Sequence, residues 1–509
     1  MNRPLVRLLA AALPAAVISG LGGPVRAEEV PLSLDAAVRS AVEKNLTLRA
    51  ETYNPAIADT DIRKAGAIYN PRLGALVDHH GEDAPLDTAG DLVRRSRFFD
   101  ANLSADFLLA TGATASAAFS NLWTRSTESA GAGTGAASTT TRFVEPRLSL
   151  SLTQPLLQGF GKDVTEQGIT VAKFGKESSL LQWRNTALAV VSTVRDQYFA
   201  LIKAMENLET QKAALAVLQE VDAGNQARVR AGVLASVELL DSAFGVAEAE
   251  VTVLAARKSV RDASDALRTT IQFPPGVDLA PTETFPDRPL DHSEQAAVEA
   301  ALRDRPDLRI ARVNLKTEEF NARIARNATL PSLGLTGSAG LEALGSGYSD
   351  ALSDVSSAKY PFWSVGLSFA YPLGNDAAEA GLAASRLRAR QTEVQIRNLE
   401  ESILLDVRTA IRALETNWSA VEAAHKGVRF GEARLESFVK RQKLGLAVTK
   451  DVLQAQSDLT SARQTLTNAR ADYQGAVTQY WKSTGELLDR QGIRIDDGTI
   501  ENQAWKDLR

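Results

Sequence analysis

The longest segment that could be helical without interruption lies in the second half of the chain. No proline occurs after Pro372, so a helix beginning near Asp376 meets its first strong stop signal at Gly445. Isolated glycines such as Gly381 weaken such a helix without ending it. The segment from Asp376 to Lys443 has 68 residues, which is about 100 Å of helix at about 1.5 Å per residue. A compact globular domain does not contain a helix of this length.

Two patterns predict how this helix packs and what precedes it. Apolar residues recur along the helix at a mean spacing of about 3.5, which is typical of a coiled-coil seam. Just upstream, apolar residues alternate with small or polar ones from Trp363 to Tyr371, which predicts a strand with one apolar face. The chain therefore joins a two-faced strand to a long coiled-coil helix. The residues of the predicted seam are Ile396, Leu399, Ile403, Val407, Ile411, Leu414, Trp418 and Val421.

The sequence contains an internal duplication. A shift of 260 residues places Ser293 on Ser33 and keeps its register, without a gap, over about forty residues. The ends of the copies also align, with Gly445 on Gly232. We expect a first repeat at residues 28–290, a second at 291–484 and a C-terminal tail at 485–509, with the proline-rich segment from Phe273 to Pro289 as the linker between the repeats.

The first repeat has the same order of elements with a longer insert between its outer strands. Its helices begin after Ser33, a predicted N-cap, and Pro71 ends them. Apolar and polar residues alternate in the insert, as they do in a membrane strand, and a tight turn at Thr111-Gly112 divides it. The predicted elements are strands at Phe99–Phe107, Thr114–Trp123 and Leu148–Pro155, a mobile loop at Ser126–Thr141, and helices at Asp163–Arg230 and Leu234–Thr270.

The N-terminus and the composition restrict the compartment and the partners. Arg3 and Arg7 flank the start of an apolar segment, and small residues end at Ala27, so residues 1–27 are predicted to be a cleaved signal peptide. The chain has no cysteine, which excludes disulfides and N-terminal lipid attachment. The net charge of −5 without a basic block disfavours nucleic acid as a partner. No later run of about 18 apolar residues appears, so an exported chain of this kind is soluble or crosses a membrane as a β-barrel.

The strand count then predicts the oligomer. The alternating runs have about the 9 to 11 residues that a barrel strand needs to cross a bilayer. Two strands per repeat give four per chain, which cannot close a barrel, and a homotrimer with twelve strands is the smallest symmetric arrangement that leaves a channel. The segment from Phe99 to Trp123 adds a hairpin to this wall or lies above the membrane, and the sequence does not decide between the two.

Several motifs resemble the TolC family of outer-membrane efflux channels. They are the strand ending Ser151-Leu152-Thr153-Gln154-Pro155, the following Gly159-Phe160-Gly161, and the turns that contain Gly232 and Gly445, together with the signal peptide and the duplication. The resemblance covers nearly all of the mature chain. It implies an α+β membrane protein in which a trimeric β-barrel in the outer membrane continues as an α-helical coiled-coil tunnel through the periplasm. It also implies a passive conduit that serves efflux or export and docks through a periplasmic adaptor to an inner-membrane transporter.

The sequence gives poor support to an enzyme. It contains no nucleophile elbow and no phosphate-binding glycine loop, so we expect no catalytic residue and no cofactor. The segment Asp78-His79-His80-Gly81-Glu82-Asp83 has metal-ligating residue types, but it lies where the first strand would leave the membrane. A solvated loop is the favoured interpretation, and no metal site is predicted there.

Acidic residues just after the two glycine turns are the candidates for a pore constriction. Glu238 and Asp241 follow Gly232, and Asp451 follows Gly445. One interpretation is local, because an acid in the first turn of a helix is stabilised by the helix dipole and Ser236 and Thr449 are natural N-caps. The other is a ring of carboxylates around a three-fold axis. The resemblance places the family's gate acid at Asp451, while Gln454 stands where a second acid is common.

The turns and one strand supply the remaining candidates. Arg228 and Arg441 precede the turns, where a cation is favoured by the helix dipole without any partner. The resemblance favours adaptor contact for each turn as a whole, Arg228 to Ser236 and Arg441 to Thr449. Trp363 and Tyr371, at opposite ends of one strand face, are predicted to be membrane-interface aromatics, with core packing as the alternative.

The sequence therefore predicts an outer-membrane channel subunit. One alternative is a trimeric coiled-coil structural or adhesive protein at the cell surface, which would not explain the two-faced strands at the same place in both repeats. The other is a periplasmic adaptor, which would carry one helical hairpin rather than two.

Overall fold

The computed structural model describes residues 29–86, 92–130, 138–233, 235–286, 288–493 and 497–506. The predicted signal peptide, residues 1–27, lies outside this range, and so does Leu234, the predicted start of a helix. Among the described residues, no helix is both long enough and apolar enough to cross a membrane.

The first half of the chain builds short helices, five strands and a helical hairpin. Ser33 caps the first helix as predicted, because its hydroxyl accepts the N–H of Ala36 at 3.2 Å. A 3₁₀ turn at Ala67–Tyr69 precedes the strands. The elements are β1 (Glu29–Leu32), α1 (Leu34–Lys44), α2 (Leu46–Gly66), β2 (Arg72–Pro85), β3 (Leu92–Leu108), β4 (Thr114–Ala130), β5 (Ser138–Pro155), α3 (Lys162–Thr165), α4 (Gln167–Arg230) and α5 (Ser236–Ile271).

The second half repeats this order with one short linker strand and two strands of the large sheet. A short strand in the linker, β6 (Asp278–Pro281), pairs in parallel with β1, which the sequence did not predict. The long helix has the predicted bounds and length, 68 residues, and the two returning helices have 36 residues each. The elements are α6 (Glu294–Asp304), α7 (Pro306–Ala328), β7 (Ser332–Glu342), α8 (Tyr348–Ser356), β8 (Pro361–Ala370), α9 (Asp376–Lys443), α10 (Thr449–Thr484), α11 (Leu487–Arg490) and α12 (Asp497–Lys506).

Six strands form one antiparallel sheet in the order β2-β3-β4-β5-β7-β8. The prediction of four strands per chain is therefore wrong, and the insert adds β3 and β4 to the sheet. The predicted loop at Ser126–Thr141 is strand at both ends, because cross-strand pairing continues up to Ser129 and Ser138. The segment Asp78–Asp83 is also wrongly predicted as a loop, since it lies inside β2 and pairs with β3.

The long helices pack through the predicted seam. Ile403, Val407 and Leu414 are almost completely buried, and the seam packs against α10 residues such as Tyr473 and Val477. The partly exposed seam residues Leu399 and Trp418 border the same cluster. A period of about 3.5 residues keeps one stripe of the helix against its partner over many turns, so the seam buries a continuous core.

A buried arginine joins the two repeats. Arg195 of α4 is 3% exposed, its Nε donates to the hydroxyl of Thr478 on α10 at 3.2 Å, and its guanidinium lies 4.7 Å from the ring centre of Trp481. Burial disfavours the charged form and lowers the pKa of Arg195 to about 10, while Asp196 and Asp35 oppose that shift. The C-terminal segment packs against the first repeat, where Ile500 of α12 lies in one hydrophobic cluster with Leu48 of α2.

Candidate functional site

Both helical hairpins turn in the same way at their tips. Gly232 has φ +72° and Gly445 has φ +73°, a conformation that favours glycine. In the first turn the N–H of Val233 donates to the carbonyl of Arg228 at 3.0 Å, and in the second that of Leu446 donates to Arg441 at 2.9 Å. These bonds are the hallmark of a Schellman motif, which ends a helix and reverses the chain. The duplication therefore produces two equivalent tips.

The tips carry apolar side chains that the rest of the chain leaves exposed. Val233 is 71% exposed in the first turn, and Leu444 and Leu446 are each 74% exposed in the second. The sequence analysis selected the turns for their glycines and arginines and did not identify these side chains. A group of exposed apolar residues at the end of a helical hairpin is typical of a surface that binds another protein.

A polar cluster centred on Thr449 connects the two tips. Thr449 is 1% exposed, and its hydroxyl accepts hydrogen bonds from the side-chain amides of Asn225 at 3.0 Å and Gln442 at 3.4 Å. Its backbone N–H donates to the carboxylate of Glu238 at 3.1 Å. The cluster thus joins α4, α5, α9 and the start of α10. Asn225 and Gln442 could not be identified from the repeat, because the two positions are not equivalent in it.

The expected N-caps are wrong by one residue at both tips. Ser236 and Thr449 are the first helical residues of α5 and α10, and Ala235 and Val448 hold the N-cap positions. Neither of these residues has a side-chain oxygen for a backbone N–H. At α10 the carboxylate of Glu238 takes that role from the neighbouring hairpin, as described above.

The three predicted constriction acids lie in different surroundings. Asp451 is half-buried in the first turn of α10, where its carboxylate accepts the N–H of Val448 at 3.3 Å. Glu238 is held against the start of α10 by its bond to Thr449. Asp241 is exposed and borders a groove between α4, α5 and α10. Within one chain these acids do not form one cluster, and a ring of them requires symmetry-related copies.

The predicted tip arginines have no carboxylate partner among the described residues. Arg228 follows the buried Asn225 by one helical turn, and the guanidinium of Arg441 lies 5.9 Å from the ring centre of Phe438. Both stand in the last turn of a long helix, where the helix dipole favours a cation. Arg441 is exposed and Arg228 is half-buried, and both lie at the same end of the molecule as the exposed apolar side chains.

The sheet has one apolar face over a stretch of nine residues on each of five strands. These stretches are Phe99–Phe107, Ala115–Trp123, Val144–Leu152, Leu333–Leu341 and Pro361–Phe369, and the strand pairing places their odd or even members on one common face. Many of these side chains are exposed, for example Leu103 at 60%, Leu150 at 59% and Val365 at 70%. The only polar member is Asn121, which is 6% exposed and donates to the carbonyl of Ala101 at 3.3 Å.

Charged residues stand on this face beyond one end of the apolar stretches. The pairing places Arg97, Arg125 and Arg142 in one row, two residues past Phe99 and Trp123. Nine tilted residues span about 22 Å, close to the apolar band of about 25 Å that a membrane barrel presents to lipid. The face therefore has the height of a bilayer core, with a cationic border at the end far from the helices.

Trp363 and Tyr371 lie at opposite ends of this face. Trp363 is 78% exposed near the first residue of β8, and Tyr371 is 44% exposed directly after its last residue. Within the described chain neither aromatic is buried in a core, which counts against the packing alternative. Their assignment as membrane-interface aromatics stays a prediction, and their positions at the two ends of the face are consistent with it.

The opposite face of the sheet is polar and bonded across strands. Hydroxyl pairs join Ser116 to Ser151 at 2.6 Å and Ser338 to Ser364 at 2.7 Å. On the same face, Nδ1 of His80 lies 3.0 Å from an oxygen of Asp78 and 3.7 Å from one of Asp100. These three side chains are the one group among the described residues that could hold a metal, and ordinary histidine–carboxylate pairing accounts for their contacts.

Known outer-membrane proteins are similar to this chain in sequence. Residues 297–486 match the sequence profile of a family described as outer membrane efflux protein. The second half of the chain is therefore similar to outer membrane efflux proteins. The outer membrane efflux protein BepC of Brucella suis is 24% identical over 359 residues, which cover 68% of this chain and 74% of BepC. The outer membrane protein TolC of Vibrio cholerae is 24% identical over 324 residues, covering 62% and 72% respectively.

Solved structures of outer membrane channels share the fold. The Campylobacter jejuni CmeC outer membrane channel superposes with a TM-score of 0.63 at 17% identity, covering 94% of this chain and 90% of that one. The open state of the Neisseria gonorrhoeae MtrE outer membrane channel gives a TM-score of 0.61 at 21% identity, covering 89% and 88%. The resemblance to the TolC family is thus confirmed, and members of the outer membrane efflux protein family are named as channels rather than as enzymes.

Proposed function

We propose that this chain is the outer-membrane channel subunit of an efflux or export pathway, and that it works as a passive conduit without catalysis. The observation that carries the proposal is the union of two unlike parts in one chain. A sheet with a bilayer-high apolar face continues, after β5 and β8, into helices of 64 and 68 residues, with the short helix α3 between β5 and the first of them. An exposed apolar face of this height needs lipid against it, and the longer helix extends for about 100 Å.

A homotrimer is the assembly that this function requires. β2 and β8 are the two ends of the sheet, and each pairs on one side only among the described strands. The 14 residues of β2 and 10 residues of β8 therefore carry unpaired backbone groups, which in lipid must bond to another strand. Three-fold repetition closes the sheet and keeps rotational symmetry. The outer membrane is the site, the helices extend into the periplasm, and no lipid anchor is involved.

We assign the tips to contact with a periplasmic adaptor, which connects the channel to an inner-membrane transporter. The two equivalent turns, Arg228 to Ser236 and Arg441 to Thr449, combine exposed apolar side chains with unpaired cations among the described residues. An apolar centre with arginine at its border is a common composition for a protein interface. An adaptor that presents apolar and acidic side chains would complement both features.

We assign the pore constriction to the same end of the helices, with Asp451 as its principal acid. Around a three-fold axis, three copies of Asp451 would concentrate cations at the entrance. Glu238 is bonded to Thr449 and Asp241 lies in a side groove, so each would contribute less. In planar bilayers we expect Asp451→Asn to reduce cation preference and its dependence on pH, with Glu238→Gln as the matched comparison.

The local interpretation of Asp451 predicts a different result from the same recordings. If its carboxylate only caps the N–H of Val448, Asp451→Asn costs at most about 1 kcal/mol of local helix stability and leaves ion selectivity unchanged. Unchanged selectivity and pH response would therefore remove the constriction assignment and leave the channel assignment in place.

Two other functions are less consistent with the chain. A surface coiled coil or a periplasmic adaptor would not need an apolar sheet face next to a polar one. Extraction from membranes separates them from a channel, because a protein without a barrel is released by high salt or urea while a channel needs detergent. The purified protein should then conduct ions in planar bilayers. Release without detergent, or the lack of any conductance from a trimeric preparation, would overturn the proposed function.

A further inference from the structure

We propose that the assembled wall has eighteen strands, with the β3–β4 hairpin as part of it, and that the membrane exit is consequently as wide as the helical tunnel. The inference rests on the proposed trimeric channel and gives it a property that the resemblance does not imply, since that resemblance implies twelve strands. It starts from the six-stranded sheet, which is a single set of paired strands from β2 to β8.

The hairpin lies within the sheet and does not stand above it. β3 and β4 pair with each other over 17 residues, and β3 also pairs with β2 over 14 residues. On its other side β4 pairs with β5 from Thr114 to Ser129. If the hairpin left the wall, the β2–β3 and β4–β5 pairings would both be lost, and β2 would have no neighbouring strand. Each backbone group released in this way would need another partner in lipid.

The turn of the hairpin reaches the helical end of the sheet. The hydroxyl of Thr111 donates to the side chain of Gln154 at 2.8 Å, and the N–H of Gly161 donates to the carbonyl of Thr111 at 3.1 Å. Gly112 has φ +87°, and a Cβ there would lie 2.4 Å from the carbonyl oxygen of Gly159. The turn is thus fixed beside the point where β5 ends and the helices begin. Both hairpin strands therefore cross the full height of the apolar face.

The apolar face itself continues through the hairpin without a break. On β3 the face is formed by Phe99, Leu103 and Phe107, and each of them has an apolar neighbour on β4 in the pairing register. The opposite face of the same strand is polar, with Asp100, Asn102 and Ser104. A hairpin above the membrane would not need this division into faces.

The free edges fit a second copy of the same chain. β2 runs away from the helices and β8 returns toward them, so β8 of one copy pairs antiparallel with β2 of the next and keeps the apolar faces on one side. Three copies then close eighteen strands. At a spacing of about 4.8 Å and a tilt of about 40°, this wall has a circumference of about 110 Å, against about 75 Å for twelve strands.

The helices next to the sheet give an independent measure of width. Four helices per chain, α2, α4, α7 and α9, adjoin the strands at the helical end of the sheet. Twelve helices at an interaxial distance of about 8 to 10 Å occupy a ring of about 95 to 120 Å. The circumference of about 110 Å for eighteen strands lies within this range. The exit through the membrane is thus no narrower than the tunnel, and the helix tips alone set the size limit for cargo.

Electron cryomicroscopy of the full chain in lipid nanodiscs counts the strands directly. We expect eighteen strands around a three-fold axis. A trimer with a twelve-stranded wall, and the hairpin outside it, would overturn this inference and leave the proposed function intact. A particle without three-fold symmetry in the membrane would instead overturn the proposed trimeric channel, and the inference with it.

Cysteine pairs test the same point in native membranes, because the chain has no cysteine of its own. In the sheet, Ala75 is separated from Leu148 by Leu103 and Phe119, which is three strand spacings or about 14 Å. We expect no disulfide in Ala75→Cys with Leu148→Cys, since the distance is too long for one. The control pair, Leu103→Cys with Phe119→Cys, should form a disulfide, because these two positions are direct neighbours on β3 and β4. A disulfide between positions 75 and 148 would show that β2 lies beside β5 and would overturn the proposal.

Two arginine substitutions provide a second readout. Leu103→Arg places a charge on the apolar face of β3 and should cause loss of trimer from the outer-membrane fraction, whereas Asn102→Arg on the polar face should retain it. If both variants assemble equally well, the hairpin does not face lipid, and the eighteen-stranded wall is refuted. A cross-link from Ala75→Cys to Val365→Cys or Leu367→Cys of a neighbouring chain tests the trimer separately.

Discussion

The depth profile of the apolar face allows a quantitative prediction on β8. Val365 lies at the centre of the stretch from Pro361 to Phe369 and is 70% exposed. An arginine at the bilayer midplane costs about 2 to 4 kcal/mol, and the cost falls to about 0 to 1 kcal/mol near the interfaces. Val365→Arg should therefore destabilise the assembly by about 2 to 4 kcal/mol per chain, while Phe369→Arg at the end of the stretch should cost about 0 to 1 kcal/mol.

The matched control lies one position along the same strand. Ser364 faces the polar side, where its hydroxyl is 2.7 Å from that of Ser338. Ser364→Arg should lose only this exposed hydrogen bond, a cost of about 0.5 to 1.5 kcal/mol. The side chain can then extend into water. The three variants differ in face and in depth, and the introduced charge is the same in all of them.

The free energy of unfolding is measured by guanidinium titration in phospholipid vesicles, followed by tryptophan fluorescence. We expect the order of damage to be Val365→Arg first, then the other two with small effects. Equal destabilisation by Val365→Arg and Ser364→Arg would mean that the strand does not have two different faces. Equal damage from Val365→Arg and Phe369→Arg would mean that the membrane is not centred on Val365.

Three further predictions concern the helices. Thr449→Val removes the acceptor for a buried amide on α4 and should cost about 1 to 3 kcal/mol, measured by chemical denaturation, and a change below that range would contradict the polar cluster. Gly445→Ala should destabilise its turn by about 1 to 2 kcal/mol and speed local amide hydrogen exchange, whereas Gly427→Ala, inside α9 with open space around it, should not. Burial acts to raise the pKa of Asp307, but hydrogen bonds and charge from Arg305 outweigh it and hold that pKa below its usual value. The resulting stability is present above about pH 4 and is lost as the pH falls through the lowered pKa, so Asp307→Asn should flatten acid unfolding curves, and an unchanged acid midpoint would contradict this.

Features that depend on a local pattern were predictable from the sequence. The bounds of α9 follow from Asp376 after the last proline and from Gly445 as the first stop, and the structure has the same helix. The alternation from Trp363 to Phe369 predicted both faces of β8. The signal for each of these elements lies within the element itself.

The errors occurred where distant groups decide the local structure. Ser126 and Thr141 flank a segment of small and polar residues that is typical of a loop, yet pairing between two long neighbouring strands extends the sheet into it. Thr449 has the side chain of an N-cap, but Glu238 from another helix satisfies the α10 terminus and frees Thr449 to bond to Asn225. A sequence pattern does not contain partners that are more than 200 residues away.

The sequence by itself determined that this chain pairs two-faced strands with very long helices in two repeats, because hydrophobic period and the positions of proline and glycine act over a few residues. Only the tertiary structure decided that the hairpin from β3 to β4 enters the same sheet as β2 and β5. That choice rests on backbone hydrogen bonds between strands and on the contact of Thr111 with Gln154. Backbone groups are the same in every residue, so their pairing leaves little trace in the side-chain pattern.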